Sequence, residues 1–384
     1  MSRLDELIQE YCPDGVDYKP LKDLASIDIG KFVRSDKQGD EKPYPVFNGG
    51  RRNTGMYDEY NHDGDYILIS ARGANAGYTN YFSGKYWAGN SCYSVAINPS
   101  IINYRFAYYV IKNSEQAFLG KQQTGSIPAV SKVQVSNLLI PVPPFPVQEE
   151  IVRILDTFTE LTAELTAELA ARKKQYEYYR DNLLLHNSHS KEVKLGEVAT
   201  IGDGLHSTPK YDDNGSYYFI NGNNIKNGAL YLTSNTKRCS ESEYSKHKKY
   251  IPKSTVMMSI NGTIGSVGIY NNEPIILGKS IAYFITTEQL SDKFLYHYLQ
   301  TSKSSTYFRN HVTGSTIKNL GLKALRDFQI YLPPIIDQKS IIQKLDNFET
   351  ICNNIYTGLP AEIEARQKQY EYYRDKLLTF KELK

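Results

Sequence analysis

The strongest constraint on this chain is a thirteen-residue segment that occurs twice. RKKQYEYYRDNLL at residues 172–184 returns as RQKQYEYYRDKLL at residues 366–378. The copies differ only where Lys173 becomes Gln367 and Asn182 becomes Lys376. Chance does not produce such a match in 384 residues. Because internal self-similarity is typical of repeated structural units, the sequence predicts a tandem of one fold.

Weaker similarity extends the repeat upstream of these segments. PPFPVQEEIVRILDTF at 143–158 corresponds to PPIIDQKSIIQKLDNF at 333–348. Four further pairs keep the same order: RFAYYVIK with KFLYHYLQ, TGS at 124–126 with TGS at 313–315, ILISARG with VMMSING, and LKDLASI with KLGEVATI. The whole chain therefore consists of two similar halves.

Each half has two parts of different composition. Residues 1–145 and 188–335 contain short alternating apolar runs, such as YILIS and SCYSVAI, interrupted by glycine and asparagine, which predicts strands and turns. Residues 103–113 and 292–302 have helical spacing. We therefore expect two mixed α+β recognition domains, followed by spacer helices at 146–187 and 336–384.

The spacer segments carry long apolar stripes at steps of three and four residues. Residues 147–186 contain no proline or glycine, which predicts a helix on the order of 55 Å long at about 1.5 Å per residue. The second copy is longer by four residues between its matching aromatic positions, which amounts to about one turn. It also contains Gly358 and Pro360, where we expect a kink or a short break.

Two matching stripes in one chain can bury each other in a coiled coil. We expect antiparallel pairing, which places one domain at each end and gives the molecule a pseudo-two-fold repeat. Parallel pairing is the alternative, and the sequence does not decide between them. A third interpretation, which we consider weaker, is that each helix packs only on its own domain as ordinary core.

Composition excludes few functions. The chain has 45 basic and 42 acidic side chains, so its net charge of +3 does not by itself indicate nucleic-acid binding. Cys12, Cys92, Cys239 and Cys352 are far apart, which favours four free thiols in a reducing compartment and excludes a zinc knuckle. Without a signal-like or membrane-spanning apolar run, the expected location is the cytoplasm.

The sequence shows no duplicated catalytic residues. The segment 278–280 resembles the end of a phosphate-binding loop, but Glu273 replaces the leading glycine. Asp14, Asp17 and Lys19 resemble a nuclease site but are too close in sequence, and a turn is expected there. His186 and His189 have no neighbouring metal ligands, and no methyl-donor fingerprint is present. We expect no catalysis and no bound metal or cofactor.

Side chains suited to DNA cluster instead in corresponding loops of the two domains. Arginine and lysine pair with guanine, and asparagine and glutamine with adenine, while phosphates accept bonds from many polar groups. In the first domain the candidates are Arg51, Arg52, Arg72, Asn75, Lys121, Gln122, Gln123, Thr124 and Ser126. In the second they are Asn221, Asn223, Asn224, Lys226, Asn261, Thr263, His311, Thr313, Ser315 and Lys318.

These features together resemble the specificity subunit of Type I restriction-modification systems. The resemblance covers nearly the whole chain, and the duplicated tails at 175–184 and 369–378 are its most specific part. It implies that each domain reads one half of a bipartite, asymmetric DNA target and that the helices set the gap. It fixes no single set of base-contacting residues.

The resemblance also implies partners. Two modification subunits would dock on the helices and bring S-adenosylmethionine for N6-adenine methylation, and restriction subunits would add ATP- and Mg-dependent cleavage. A two-module protein-protein or carbohydrate-binding scaffold is the rival interpretation. A stand-alone nuclease or methyltransferase is weaker still.

Overall fold

The computed structural model describes residues 2–119, 128–351 and 358–383. The chain forms two compact units, one made of residues 1–165 and 363–384 and the other of residues 166–362. Within the described ranges no helix has the length and apolar character needed to cross a membrane. The three cysteines in these ranges, Cys12, Cys92 and Cys239, are buried free thiols, while Cys352 lies outside them.

The first unit begins with an α+β domain. Its helices are α1 (Arg3–Tyr11), α2 (Tyr104–Asn113), α3 (Glu115–Leu119) and α4 (Lys132–Ser136), and α5 (Phe145–Leu185) follows them. Its strands are β1 (Asp17–Pro20), β2 (Ala25–Ile29), β3 (Tyr44–Phe47), β4 (Gly55–Tyr57), β5 (Asp65–Ser70), β6 (Thr79–Ser83), β7 (Trp87–Ala88), β8 (Cys92–Ile97) and β9 (Leu139–Val142).

Three sheets organise this domain. An antiparallel sheet has the order β2-β8-β5-β6, and a mixed sheet has the order β4-β3-β7 with β3 parallel to β7. A third pair joins β1 to β9. The strands β5 and β8 are internal and have buried residues on both faces, which explains their nearly continuous apolar sequences. Asn103 caps α2 by accepting a hydrogen bond from the Phe106 amide.

The second unit contains the matching elements. Its helices are α6 (Leu195–Val198), α7 (Glu241–His247), α8 (Asp292–Tyr298), α9 (Ser302–His311), α10 (Leu322–Asp327) and α11 (Ile335–Ile351). Its strands are β10 (Lys191–Lys194), β11 (Ala199–Asp203), β12 (Tyr217–Ile220), β13 (Ile225–Lys226), β14 (Ala229–Leu230), β15 (Arg238–Cys239), β16 (Val256–Ser259), β17 (Val267–Ile269), β18 (Ile275–Leu277), β19 (Ile281–Thr286), β20 (Val312–Thr313), β21 (Asn319–Leu320) and β22 (Gln329–Leu332).

The sheets confirm the internal repeat. The order β11-β19-β16-β17 reproduces β2-β8-β5-β6, and the mixed sheet β15-β12-β18, with β12 parallel to β18, reproduces β4-β3-β7. The pair β10-β22 reproduces β1-β9. The second unit adds the hairpin β13-β14 and helix α7 between β12 and β16, where the first unit has a shorter connection.

The long helix α5 contributes to both units. Pro146 lies in its first turn, where the missing amide hydrogen costs no helical bond. In the first unit Val147, Ile151 and Leu155 are fully buried in the domain core. The interpretation that the helix packs on its own domain is therefore correct for these turns.

In the first unit the helices also pair with each other. The C-terminal helix α12 (Gly358–Leu377) places Tyr373 in a stacked contact with Phe158, at 5.7 Å between ring centroids. Leu378 joins the core that contains Ile151 and Leu155. Residues that come later in α5 thus meet residues that come earlier in α12, so this pairing is antiparallel.

The second unit repeats this arrangement with the end of α5 and helix α11. Tyr179 stacks on Phe348 at 5.1 Å, and His189, just beyond α5, lies 3.0 Å from the Asp337 carboxylate. This pairing is also antiparallel. The expected kink near Gly358 and Pro360 falls at the start of α12, next to residues 352–357, which lie outside the described ranges.

The C-terminal spacer helix is shorter than 336–384. Helix α12 ends at Leu377, and the residues after it return to the first domain. The Val16 amide donates to the Lys381 carbonyl oxygen, and the Leu383 amide donates to the Val16 carbonyl oxygen. The chain after α12 is therefore extended and forms part of the first unit.

A glutamine fixes the start of each spacer helix. Gln148 and Gln338, the matching residues of the proline-rich segments, are both 0% exposed. The Gln148 amide group accepts from the Asn103 amide and donates to the Pro143 carbonyl oxygen. Gln338 accepts from Ser291 and donates to Pro333 and Gln289. The aligned glutamines thus join helix, linker and domain in both copies.

Candidate nucleic-acid interface

In the first unit, the loop that carries Arg72 lies against the end of the predicted second loop. The Gly73 amide donates to the Pro128 carbonyl oxygen, and the Val130 amide donates to the Ala71 carbonyl oxygen, both at 2.9 Å. Gly73 has φ +89°, a conformation that favours glycine. The segment after β5 is thereby held beside residues 128–130, with the Arg72 side chain exposed.

The loop after β3, which carries Arg51 and Arg52, joins the same surface. The Ser70 hydroxyl donates to the Gly50 carbonyl oxygen, and the Asn80 side chain donates to the Arg51 carbonyl oxygen. A Cβ atom at Gly49 would collide with the carbonyl oxygen of Arg72, so a glycine is needed for this close approach.

The three arginines of this surface are exposed to solvent. The Arg51 guanidinium lies 5.5 Å from the Tyr78 ring, which partly orders it. Burial raises the pKa of Tyr93, and the positive charge of Arg72 opposes this rise. Asn75 is half-buried in the turn that leads to β6. This surface is positively charged and accessible.

The second unit builds the same junction. The Gly262 amide donates to the Lys318 carbonyl oxygen at 2.9 Å, and the Leu320 amide donates to the Ile260 carbonyl oxygen at 2.8 Å. Asn261 pairs with Asn319 in a β-bridge, as Arg72 does with Ala129 in the first unit. In both units the end of the second loop, at residues 128–130 and 318–320, therefore lies against the first loop, and unlike side chains occupy the same framework.

Several residues of the second domain that were predicted to contact DNA make hydrogen bonds within the domain itself. Asn221 accepts from the Ser280 hydroxyl at 3.0 Å, and its backbone amide donates to the Asn224 side chain. The Asn224 side chain also donates to the Tyr231 carbonyl oxygen. These hydrogen bonds fix the position of the loop, and they use only part of the hydrogen-bonding capacity of each side-chain amide. The Lys226 ammonium lies 4.8 Å from the Tyr231 ring.

His311 is not a loop residue. It ends α9, its ring stacks on Tyr307 at 3.9 Å, and its Nδ1 lies 2.8 Å from the Tyr307 carbonyl oxygen. The Thr313 hydroxyl donates to the Asn319 carbonyl oxygen, within the hairpin β20-β21. The remaining predicted residues of this domain are exposed or half-exposed: Asn223, Asn261, Thr263, Ser315 and Lys318.

Five predicted residues of the first domain, Lys121, Gln122, Gln123, Thr124 and Ser126, lie outside the described residues. In the second unit, Gly314 and Lys318 of the corresponding loop line a cleft of about 670 Å³. The cleft has the basic side chains Arg180, Arg309 and Lys318 in its lining, together with Gly262, Gly265 and Gly314. All three glycines have positive φ. Their small size leaves the backbone open to a close ligand.

The turn between β7 and β8, and its counterpart between β18 and β19, were missed by the sequence interpretation. Residues 278–280, rejected as a phosphate loop, correspond to residues 89–91 in the first unit. The middle residues of the turns, Asn90 and Lys279, are exposed, and both turns lie against the loops already described. The signal was present as WAGNSCYSVAI and IILGKSIAYFI, two runs whose Gly-x-Ser turns align.

Among the described residues there is no cluster of three or more His, Cys, Asp or Glu side chains able to hold a metal ion. His189, considered as a metal ligand by spacing, pairs with Asp337 instead. The segment 12–15 forms the expected turn, closed by a hydrogen bond from the Gly15 amide to the Cys12 carbonyl oxygen.

The model of the Type I restriction modification DNA specificity domain matches residues 13–172 and 187–365. The chain belongs to this family. A putative type I restriction enzyme specificity subunit of Haemophilus influenzae is 33% identical over 95% of this chain and 96% of its own length. The specificity subunit of a type I restriction enzyme of Escherichia coli is 37% identical over 65% of each chain.

Solved structures agree on the fold. The S subunit of a Type I restriction-modification system from M. genitalium has a TM-score of 0.57 at 17% identity, and covers 95% of this chain and 96% of its own. A chain from a study of the assembly of the type I R-M system has a TM-score of 0.56 at 17% identity, and covers 95% and 98%. This chain is accordingly a DNA-recognition subunit with two specificity domains.

Proposed function

We propose that each domain of this specificity subunit reads one half of a bipartite, asymmetric DNA target. One observation carries the proposal: the same backbone junction holds Arg72 in the first unit and Asn261 in the second. Arginine pairs with guanine and asparagine with adenine in the major groove. Equal frameworks with unlike reading side chains suit a target whose two halves differ.

The cleft of the second unit suits a site in which some side chains contact bases and others contact phosphates. Arg309 and Lys318 are exposed at the cleft, close to the loops that carry Asn261 and Thr263. Cationic side chains beside base-reading loops usually fix the register of the protein on the duplex through phosphates. We assign Arg309 to this role.

The spacer helices are the proposed ruler and the docking surface for modification subunits. Helix α5 is continuous over 41 residues and contributes to both units. Tyr178 and Tyr372, matching residues of the duplicated tails, are 72% and 65% exposed. Exposed tyrosines favour protein interfaces because they combine apolar area with a polar group. Duplicate exposed faces suit two copies of one partner.

The chemistry of the complex is assigned to its partners. The modification subunits supply S-adenosylmethionine for N6-adenine methylation, and the restriction subunits supply ATP- and Mg-dependent cleavage. This chain contributes the choice of sequence. Its loops position DNA for the partners and take no part in the chemical steps.

Genome-wide methylation mapping tests this function. Cells that carry the chain with its modification subunit should show N6-methyladenine in one split, asymmetric motif, and this mark should disappear when the gene is deleted. A motif without a gap, or methylation that survives the deletion, would contradict the proposal.

A further inference from the structure

Asn90 and Lys279 occupy corresponding positions in the turns of the two units, and neither belongs to the DNA-contacting residues predicted from the sequence. Each is the middle residue of a Gly-x-Ser turn that leads into an internal strand of the four-stranded sheet. The flanking residues, Gly89 and Ser91 or Gly278 and Ser280, are the same in both units. The middle residue alone changes, and it is exposed in both.

In the second unit, the framework of the turn is fixed on every side. The Ser280 hydroxyl donates to the Asn221 side chain at 3.0 Å and accepts from the Gly222 amide at 2.9 Å. A Cβ atom at Gly278 would collide with the Asn221 side chain. The Asn261 side chain donates to the Lys279 carbonyl oxygen at 3.4 Å. Lys279 is therefore a neighbour of the Asn261 loop.

The first unit repeats this framework. A Cβ atom at Gly89 would collide with the side chain of Asn48, the counterpart of Asn221. The Ala71 amide donates to the Ser91 carbonyl oxygen at 2.8 Å, as the Ile260 amide does to the Ser280 carbonyl oxygen. Asn90 is therefore held one residue from the segment that carries Arg72.

We infer that Asn90 and Lys279 are specificity-determining residues, Asn90 for adenine in one half-site and Lys279 for guanine in the other. A shared glycine, serine and asparagine framework around one exposed, changed side chain suits interchangeable base reading. Asparagine bonds both N6 and N7 of adenine, and lysine bonds O6 and N7 of guanine. This inference rests on the proposed bipartite reading of DNA.

The test is methylation mapping of the full chain co-expressed with its modification subunit. Lys279→Ala should relax one position of one half-site, with discrimination against the wrong base reduced on the order of ten- to a hundred-fold. Asn90→Ala should do the same in the other half-site only. Lys279→Asn should shift the preference at the affected position from guanine to adenine, and Lys279→Arg should keep guanine.

Lys253 provides a matched control, because it is exposed and precedes β16, whereas Asn261 follows the opposite end of that strand. Lys253→Ala should leave the motif unchanged, and equal melting temperatures show that the variants fold. The inference is overturned if Lys279→Ala keeps the wild-type motif, or weakens binding to all sequences alike with a smaller salt dependence, which identifies a phosphate contact. Absence of any motif with the wild-type chain overturns the proposed function as well.

Discussion

At the scale of single residues, Arg72 offers the most direct test of base reading. It is exposed, its backbone is fixed between Gly49 and Ala129, and it is the counterpart of Asn261. Arg72→Ala should weaken or relax one half-site by roughly 1 to 3 kcal/mol and leave the other half-site intact. Binding titrations with DNA altered in one half-site at a time measure this, and uniform loss on unrelated DNA would contradict it.

His297 makes the stability of the second unit sensitive to pH. Burial lowers its pKa to about 4, the Asp346 carboxylate raises it, and Arg180 and Lys293 lower it. Tyr176 lies 3.2 Å from its Nδ1. The unfolded state binds a proton below its pKa of about 6.5, whereas the folded state does so only below about 4. Stability is therefore complete above pH 6.5 and falls as the pH drops to 4.

We expect a loss of about 2 kcal/mol from this histidine between pH 7 and pH 5. Urea unfolding at both pH values measures it. His297→Phe should be less stable at pH 7, since it loses the contact with Tyr176, but should show a smaller change between the two pH values. The exposed His206, changed to Phe, is the control. Equal slopes for wild type and His297→Phe would contradict the assignment.

At the scale of elements, the glutamine that joins each spacer helix to its domain should dominate local stability. Gln338→Leu removes three hydrogen bonds in a fully buried site and leaves backbone groups without partners. The expected loss is about 2 to 4 kcal/mol. Gln367→Leu, on the exposed face of α12, should change stability by less than about 0.5 kcal/mol. Urea midpoints compare the two, and similar losses would contradict the role of Gln338.

The strands, helices and loops differ in how far the sequence predicted them. The repeated strands and the two spacer helices follow from aligned apolar patterns, because burial imposes a period on a strand or a helix. The antiparallel direction of the helix pairing does not follow from these patterns, since parallel stripes have the same period. The Arg72 loop and residues 128–130 are adjacent in space although they are far apart in sequence. The only sequence evidence for this contact was that both segments recur in the second half of the chain. Other features depend on individual hydrogen bonds, which a periodic pattern does not reveal. Examples are the contact of the His311 ring with the Tyr307 carbonyl oxygen and the bonds that Asn221 and Asn224 make within their own loop.

At the scale of the whole molecule, the proposed ruler predicts how the target changes with helix length. The tetrapeptide Thr-Ala-Glu-Leu occurs twice in succession at residues 162–169 of α5, across the boundary between the two units. A third copy keeps the leucines at steps of four, so the apolar stripe continues. It adds about 6 Å at 1.5 Å per residue.

Since duplex DNA rises about 3.4 Å per base pair, this insertion should lengthen the gap between the half-sites by about one to two base pairs. The bases read within each half-site should stay the same, because neither domain is altered. Methylation mapping reads both quantities in one experiment. Replacing residues 166–169 by another four-residue helical sequence keeps the length and should keep the gap, which separates length from composition. An unchanged gap in the longer chain would mean that the helices do not set the spacing, even if both domains still read their own bases.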